Sequence, residues 1–230
     1  MNQLLRYDLV IFDCDGVLID SELLSCNALV DCLRRAAIEM DLETVIDRFL
    51  GRSPQAIRDY CAATNHVLPE RFFEELHAAV LAVFAAGLTA IPGAAAVLES
   101  LKAAYCVASS SNLDRIKYAL ELTGLAELMA GRVFSAEMVK RGKPAPDLFL
   151  HAASRMAAAP NRTLVIEDSV TGVQAGKAAG MTVWGFVGGS HYAKRNGQES
   201  LMAAGADRVF DRMAEFHRQG AGLVHGAVEQ

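Results

Sequence analysis

Two aspartates stand two residues apart in Asp13-Cys14-Asp15-Gly16, directly after the apolar run Tyr7 to Phe12. Three other places carry groups of matching chemistry. Ser109 opens Ser109-Ser110-Ser111-Asn112 after Tyr105 to Ala108, Glu167-Asp168-Ser169 follows Thr163 to Ile166, and Lys143 lies in Gly142-Lys143-Pro144. Brought together, carboxylates, a hydroxyl and an ammonium suit a phosphoryl group. Asp13 at a strand end is a nucleophile able to form an acyl phosphate. Asp15, two residues on, is placed to protonate a leaving oxygen and then deprotonate water. Ser109 would donate a hydrogen bond to a transferring phosphoryl oxygen. Asp13, Asp168 and a phosphate dianion would together carry four negative charges, and like charges 4 Å apart repel by about 4 kcal/mol at an effective dielectric constant of 20. Lys143 and a divalent cation relieve most of that charge. Mg²⁺ fits best, since it takes carboxylate, carbonyl, water and phosphate oxygens.

The elements that must position these groups are short strands alternating with helices. Tyr7 to Phe12 reads as a strand buried on both faces, and Tyr105 to Ala108, Thr163 to Ile166, Thr182 to Val187 and Arg208 to Phe210 repeat the pattern. Between them Leu113, Ile116 and Leu120, and then Leu148, Ala152 and Met156, keep helical spacing. The expected fold class is α/β, a parallel sheet covered by helices. In such a sheet the crevice beyond the carboxyl ends of the strands binds ligands. Residues 18–89 break the rhythm, with only helical patterns (Leu23 to Ala37, Ala56 to Ala63, Glu70 to Ala86) before Gly87 and Pro92-Gly93. The expected organisation is therefore an α/β core of residues 1–17 and 90–230 carrying an inserted helical domain, 18–89. The tail from Gln219 shows no period and is expected to fray.

Composition narrows the function classes. The chain has 230 residues, 52% of them hydrophobic and 21% charged, which suits a globular protein. A net charge of −5 without a basic block argues against nucleic-acid and membrane-surface binding. No apolar run is long enough to span a bilayer and no secretory leader is visible. Five scattered cysteines, none in a CxxC pair, read as reduced thiols in the cytoplasm. The six histidines have no ligand spacing and are taken as surface residues. Nothing in the sequence demands more than a monomer.

As an ordered set, Asp13-Cys14-Asp15-Gly16-Val17, Ser109, Lys143-Pro144 and Glu167-Asp168 resemble the four motifs of haloacid dehalogenase-like phosphohydrolases. The resemblance spans residues 7 to about 187. It implies a Rossmann-like doubly wound core (1–17 and 90–230) as the catalytic domain, with 18–89 as a small helical cap domain. It also implies Mg²⁺-dependent phosphoryl transfer through an aspartyl-phosphate, with Asp13 as nucleophile, Asp15 as acid/base, and Ser109 and Lys143 on the phosphate. Asp13, the Asp15 carbonyl and Asp168 would bind the metal, with Glu167 doing so directly or through a neighbour. The stretches around Asp15 and Gly142 look like the branch that holds β-phosphoglucomutase and sugar-phosphate phosphatases, 6-phosphogluconate phosphatase-like proteins included. Ser25 and Pro54 stand where the mutase has a cap histidine and a cap arginine, so a phosphatase of small phosphorylated metabolites is expected. Asp15 argues against a halide-releasing enzyme. A receiver-type phosphoacceptor domain shares the acidic groups, hydroxyl and lysine, but not the helical insertion.

Other candidates have competing structural roles. Ser110, Ser111 and Asn112 are candidate substrate contacts, although a cap for the helix from Leu113 would use the same residues. Arg52, in Gly51-Arg52-Ser53-Pro54, precedes a helix that Ser53 and Pro54 would start. Arg52 and Glu22 are the cap-side candidates for recognising the leaving group. Gly172, Gly176 and Gly180 recur every four residues and are read as close helix–sheet packing rather than a nucleotide loop.

Overall fold

The structure, a computed structural model, describes residues 7–52 and 54–219. The chain starts with β1 (Leu9–Phe12), whose four side chains are all buried. Four helices follow: α1 (Glu22–Arg35), α2 (Leu42–Phe49), α3 (Pro54–Ala63) and α4 (Phe72–Gly87). The chain then alternates through α5 (Ala94–Ser100), β2 (Ala104–Ser109), α6 (Leu113–Leu122), β3 (Val133–Ser135), α7 (Asp147–Arg155), β4 (Thr163–Glu167), α8 (Val170–Ala178) and β5 (Thr182–Phe186). It ends with α9 (Gly197–Ala203), β6 (Arg208–Phe210) and α10 (Met213–Gln219).

The six strands form one parallel sheet in the order β3-β2-β1-β4-β5-β6. Ile11 lies in register with Cys106 on one side and Val165 on the other, so β1 is fully enclosed. That enclosure is why it reads as an uninterrupted apolar run. One face of the sheet packs Leu9, Ile11, Cys106 and Val165 against Phe149 of α7 and Val173 of α8. On the other, Phe12 and Trp184 meet Phe216 of α10, with ring centroids 6.1 and 5.7 Å apart. Gly176 lets α8 lie close on the sheet, because a methyl there would come within 2.6 Å of Val183. The strand order reverses at β1 and β4, and there a doubly wound sheet opens its crevice.

The chain divides into two compact units, Ser21–Leu88 and the remainder. Residues 18–20 stay with the sheet, because Asp20 N donates to Thr89 O at 2.9 Å and Ile91 N to Leu18 O at 2.9 Å. The helical unit has its own core, where Leu29 and Leu33 of α1 join Val45, Ile46 and Phe49 of α2, Ile57 of α3 and Phe72 of α4. Asp41 caps α2 by accepting from Thr44 N at 2.7 Å.

Two elements differ from the sequence reading. Val133–Ser135 is a strand absent from the sequence reading, a three-residue edge piece too short to show alternation. α2 is a helix of two turns, below the length at which periodicity stands out. Ser53 as helix cap and the fate of residues 220–230 lie outside the described residues. Among the described residues no helix is long and apolar enough to cross a membrane.

Candidate active site

Asp13 prolongs the ladder of β1, its N–H donating to Ile166 O at 2.9 Å. Its side chain therefore emerges at the carboxyl edge, between the ends of β2 and β4. Lys143 reaches in from the loop before α7. Its Nζ donates to Asp13 Oδ1 at 2.5 Å, to Glu167 Oε1 at 2.6 Å and to Ala108 O at 3.2 Å. The ammonium is 3% exposed and the two carboxylates 9% and 1%. The Glu167 carboxylate also accepts from Ser169 N and Oγ, at 2.8 and 2.9 Å, while Ser169 Oγ caps α8 by accepting from Gly172 N. A methyl on Gly172 would lie 1.8 Å from that carboxylate, so glycine is dictated by space.

Asp15 faces the end of β2. Arg115 Nη2 donates to its Oδ1 at 2.9 Å, Ser111 Oγ to its Oδ2 at 2.8 Å, and Ser109 Oγ to the same oxygen at 3.4 Å. Asn112 caps α6, its Oδ1 accepting from Arg115 N at 2.8 Å, and Ser110 is exposed at the strand end. Arg115 was not singled out from sequence, although its place in the first turn after the Ser109 segment aims it back at that edge. Glu22 and Arg52 belong to the helical unit.

Asp168 is 5% exposed at the end of β4. His191 Nε2 lies 3.2 Å from its Oδ2, and Tyr192 OH donates a short hydrogen bond to its backbone carbonyl. The expectation of surface histidines fails here, because His191 is 3% exposed. It sits in the turn after Gly188-Gly189, where tertiary packing rather than local pattern decides burial. Gly16, at φ 74°, passes so close that a methyl would fall 1.9 Å from Asp168 Oδ2. A side chain there would be both strained and overlapped.

The family model for haloacid dehalogenase-like hydrolases matches residues 7–180. The chain belongs to that family. Among curated relatives of this haloacid dehalogenase-like hydrolase, the 6-phosphogluconate phosphatase of Escherichia coli is 33% identical over 188 residues, 81% of this chain and 85% of the relative. A solved haloacid dehalogenase-like protein of unknown function from Agrobacterium tumefaciens superposes with a TM-score of 0.82 at 32% identity, covering 94% of this chain and 98% of the other. A hydrolase of the same family from Deinococcus radiodurans, solved with bound phosphate and sodium, gives 0.78 at 33% identity over 96% and 100%.

Electrostatics set what this hydrolase can hold. Burial pushes the Asp13 carboxyl well above the usual carboxylate range; Lys143 opposes this, while Glu167, Asp168 and Asp15 add to it. Burial does the same to Asp168, reinforced by Glu167. Lys143 is also disfavoured by burial, yet Asp13 and Glu167 outweigh that and hold its ammonium protonated beyond the usual lysine range. Burial raises the Cys14 thiol as well, which speaks against a second nucleophile beside Asp13. Four carboxyl groups thus face two fixed cations, Lys143 and Arg115. A divalent cation would balance the remainder. Among the described residues no three His, Cys, Asp or Glu side chains close a cage around one point. Mg²⁺ suits such a set, since it is commonly held by one or two carboxylates with water and substrate phosphate completing the shell.

Proposed function

We propose that this chain is a Mg²⁺-dependent phosphatase that hydrolyses a small phosphomonoester, a sugar or sugar-acid phosphate, through an aspartyl-phosphate on Asp13. One observation carries the reading. A buried lysine bridges Asp13 and Glu167 at 2.5 and 2.6 Å at the strand-order reversal, beside Ser109 and Asp15. The 6-phosphogluconate phosphatase relative and the phosphate-bound hydrolase support the substrate class.

In this reading an Asp13 oxygen attacks phosphorus and the bond to the ester oxygen breaks, Asp15 giving its proton to the departing alcohol. Asp15 then takes a proton from water, whose oxygen attacks the aspartyl-phosphate; phosphate leaves and the Asp13 carboxylate is regenerated. Lys143 and Ser109 hold phosphoryl oxygens and keep them in line. Asp13, the Asp15 carbonyl and Asp168 would hold Mg²⁺, with Glu167 beside it. The ion, when bound, neutralises charge on the phosphoryl oxygens.

The groups that hold phosphate all come from the α/β unit, and they contact only what every phosphomonoester shares. We assign the choice of leaving group to the helical unit, with Arg52 and Glu22 as its candidates. The test is a phosphate-release screen with Mg²⁺ over a panel of phosphorylated metabolites. Sustained release from sugar or sugar-acid phosphates is expected. Isomerisation without release would indicate a mutase, and a single stoichiometric phosphorylation would indicate a phosphoacceptor.

A further inference from the structure

The turn after β5 is built against Asp168 through two side chains. His191 is buried with Nε2 3.2 Å from Asp168 Oδ2. The Tyr192 ring lies against the imidazole at a tilt of 45°, ring centroids 4.2 Å apart, and its hydroxyl donates to the Asp168 carbonyl. The turn itself is fastened by Asp20, whose Oδ1 accepts from Ser190 N at 3.0 Å and Ser190 Oγ at 2.8 Å. The packing leaves the ring little freedom. A methyl on Gly189 would lie 2.7 Å from His191 Cε1, and one on Gly16 3.0 Å from the same atom. A histidine and a tyrosine thus fix both the carboxylate and the backbone of one residue, in a segment that supplies none of the phosphate-binding groups.

We propose that His191 and Tyr192 are positioning residues that hold Asp168 in the orientation required of a metal-binding carboxylate. The proposal rests on the reading of Asp168 as a Mg²⁺ ligand. A carboxylate that can rotate must lose that freedom when it binds an ion; one already held has lost it on folding. Partners that orient a ligand typically change metal affinity about 10–100-fold when removed. The ring packs against Oδ2 and limits rotation of the carboxylate, which leaves the other carboxylate oxygen for the ion.

The test uses Mn²⁺ as the probe, titrated into the metal-free full-length protein and followed by electron paramagnetic resonance. His191→Leu, which keeps bulk but removes the ring nitrogens, should weaken Mn²⁺ binding about 10–100-fold. His191→Gln, which keeps a polar side chain beside Oδ2, should recover most of that loss. Tyr192→Phe should weaken binding several-fold. Saturating Mg²⁺ should restore kcat in both weakened variants, which a general packing defect would not allow. Wild-type affinity in both His191→Leu and Tyr192→Phe, with binding lost in Asp168→Asn, overturns the proposal alone. Wild-type affinity in Asp168→Asn refutes the metal assignment and the proposal with it. Should His191→Leu fail to fold, Tyr192→Phe, which removes only a hydroxyl, decides by itself, and wild-type affinity there overturns the proposal.

Discussion

Replacing Lys143 by methionine keeps the aliphatic stem and removes the only charge that separates Asp13 from Glu167. The side chain is 3% exposed, and its ammonium touches both carboxylates within 2.6 Å. Breaking a buried ion pair by removing one partner costs about 3–5 kcal/mol, because the other charge stays buried without compensation. Here two carboxylates are left, so the upper part of that range is expected. For a chain of this size each kcal/mol moves Tm by about 2–4 °C, so about 4–5 kcal/mol gives a fall of roughly 8–20 °C. The sign with pH follows from the shifts. The ammonium is held above its ordinary value of 10.5, so its contribution is complete below that value and is lost only as pH rises through the folded-state value. Neutral pH therefore reports the full effect. Burial already pushes the Asp13 carboxyl up, so in the variant it gains a proton more readily than in the unfolded chain and the deficit should narrow as pH falls. Urea melts of wild type and Lys143→Met in EDTA, at neutral and mildly acidic pH, measure both. Adding Glu167→Gln should restore part of the loss, since it removes one of the stranded charges. A deficit below about 1 kcal/mol at neutral pH, or one that widens on acidification, would refute the view that Lys143 neutralises this site.

Four further outcomes follow from the same geometry. Asp13→Asn should abolish phosphate release with an unchanged circular dichroism spectrum; near wild-type turnover would sink the aspartyl-phosphate route. Asp15→Ala should reduce kcat by about 10²–10⁴ on a sugar phosphate and much less on p-nitrophenyl phosphate, whose leaving group needs little protonation; equal losses would point to misplaced metal instead. Gly172→Ala, with its methyl forced against Glu167, should destabilise by about 1–3 kcal/mol, whereas Gly142→Ala, where a methyl meets nothing within 4 Å, should stay within about 0.5 kcal/mol. Denaturant midpoints that fall equally would contradict the crowding argument. Arg52→Ala should lower kcat/KM for the best sugar or sugar-acid phosphate more than for p-nitrophenyl phosphate, and equal losses would make Arg52 an ordinary solvated residue.

The central strands were legible because they are enclosed. β1 and β4 have neighbours on both edges and helices on both faces, so Leu9 to Phe12 and Leu164 to Ile166 run apolar until the chain reaches the crevice. The abrupt change to Asp13 and to Glu167-Asp168 is then a signal in itself. Edge strand β3 lacks that enclosure, and its three residues carry too little pattern to separate a strand from a loop. The helical unit was visible as an absence of strands, yet α2 was not, since its burial is set by α1 and α3 and two turns hold few periods.

The site divides along a similar line. Groups at strand ends could be named because the sheet's period brings them to one edge, and Lys143 joined them through its place in the motif order. Ser111 and Asn112 turn out to be occupied within the fold, the first donating to Asp15 and the second capping α6. Arg115 was within reach of the sequence, because a helix that starts just beyond Ser109 carries its first-turn side chains back toward the crevice. His191 was not. A histidine after two glycines has the local signature of an exposed turn, and its burial depends on Asp20, 170 residues earlier in the chain, accepting from Ser190. Groups that react must stand at the ends of elements and leave a trace in the pattern, whereas groups that hold them in place can come from any turn that packs nearby. The limit of the sequence reading therefore falls between the reacting residues and their supports, and Asp168, named from its strand end while His191 and Tyr192 went unnoticed, stands on that boundary.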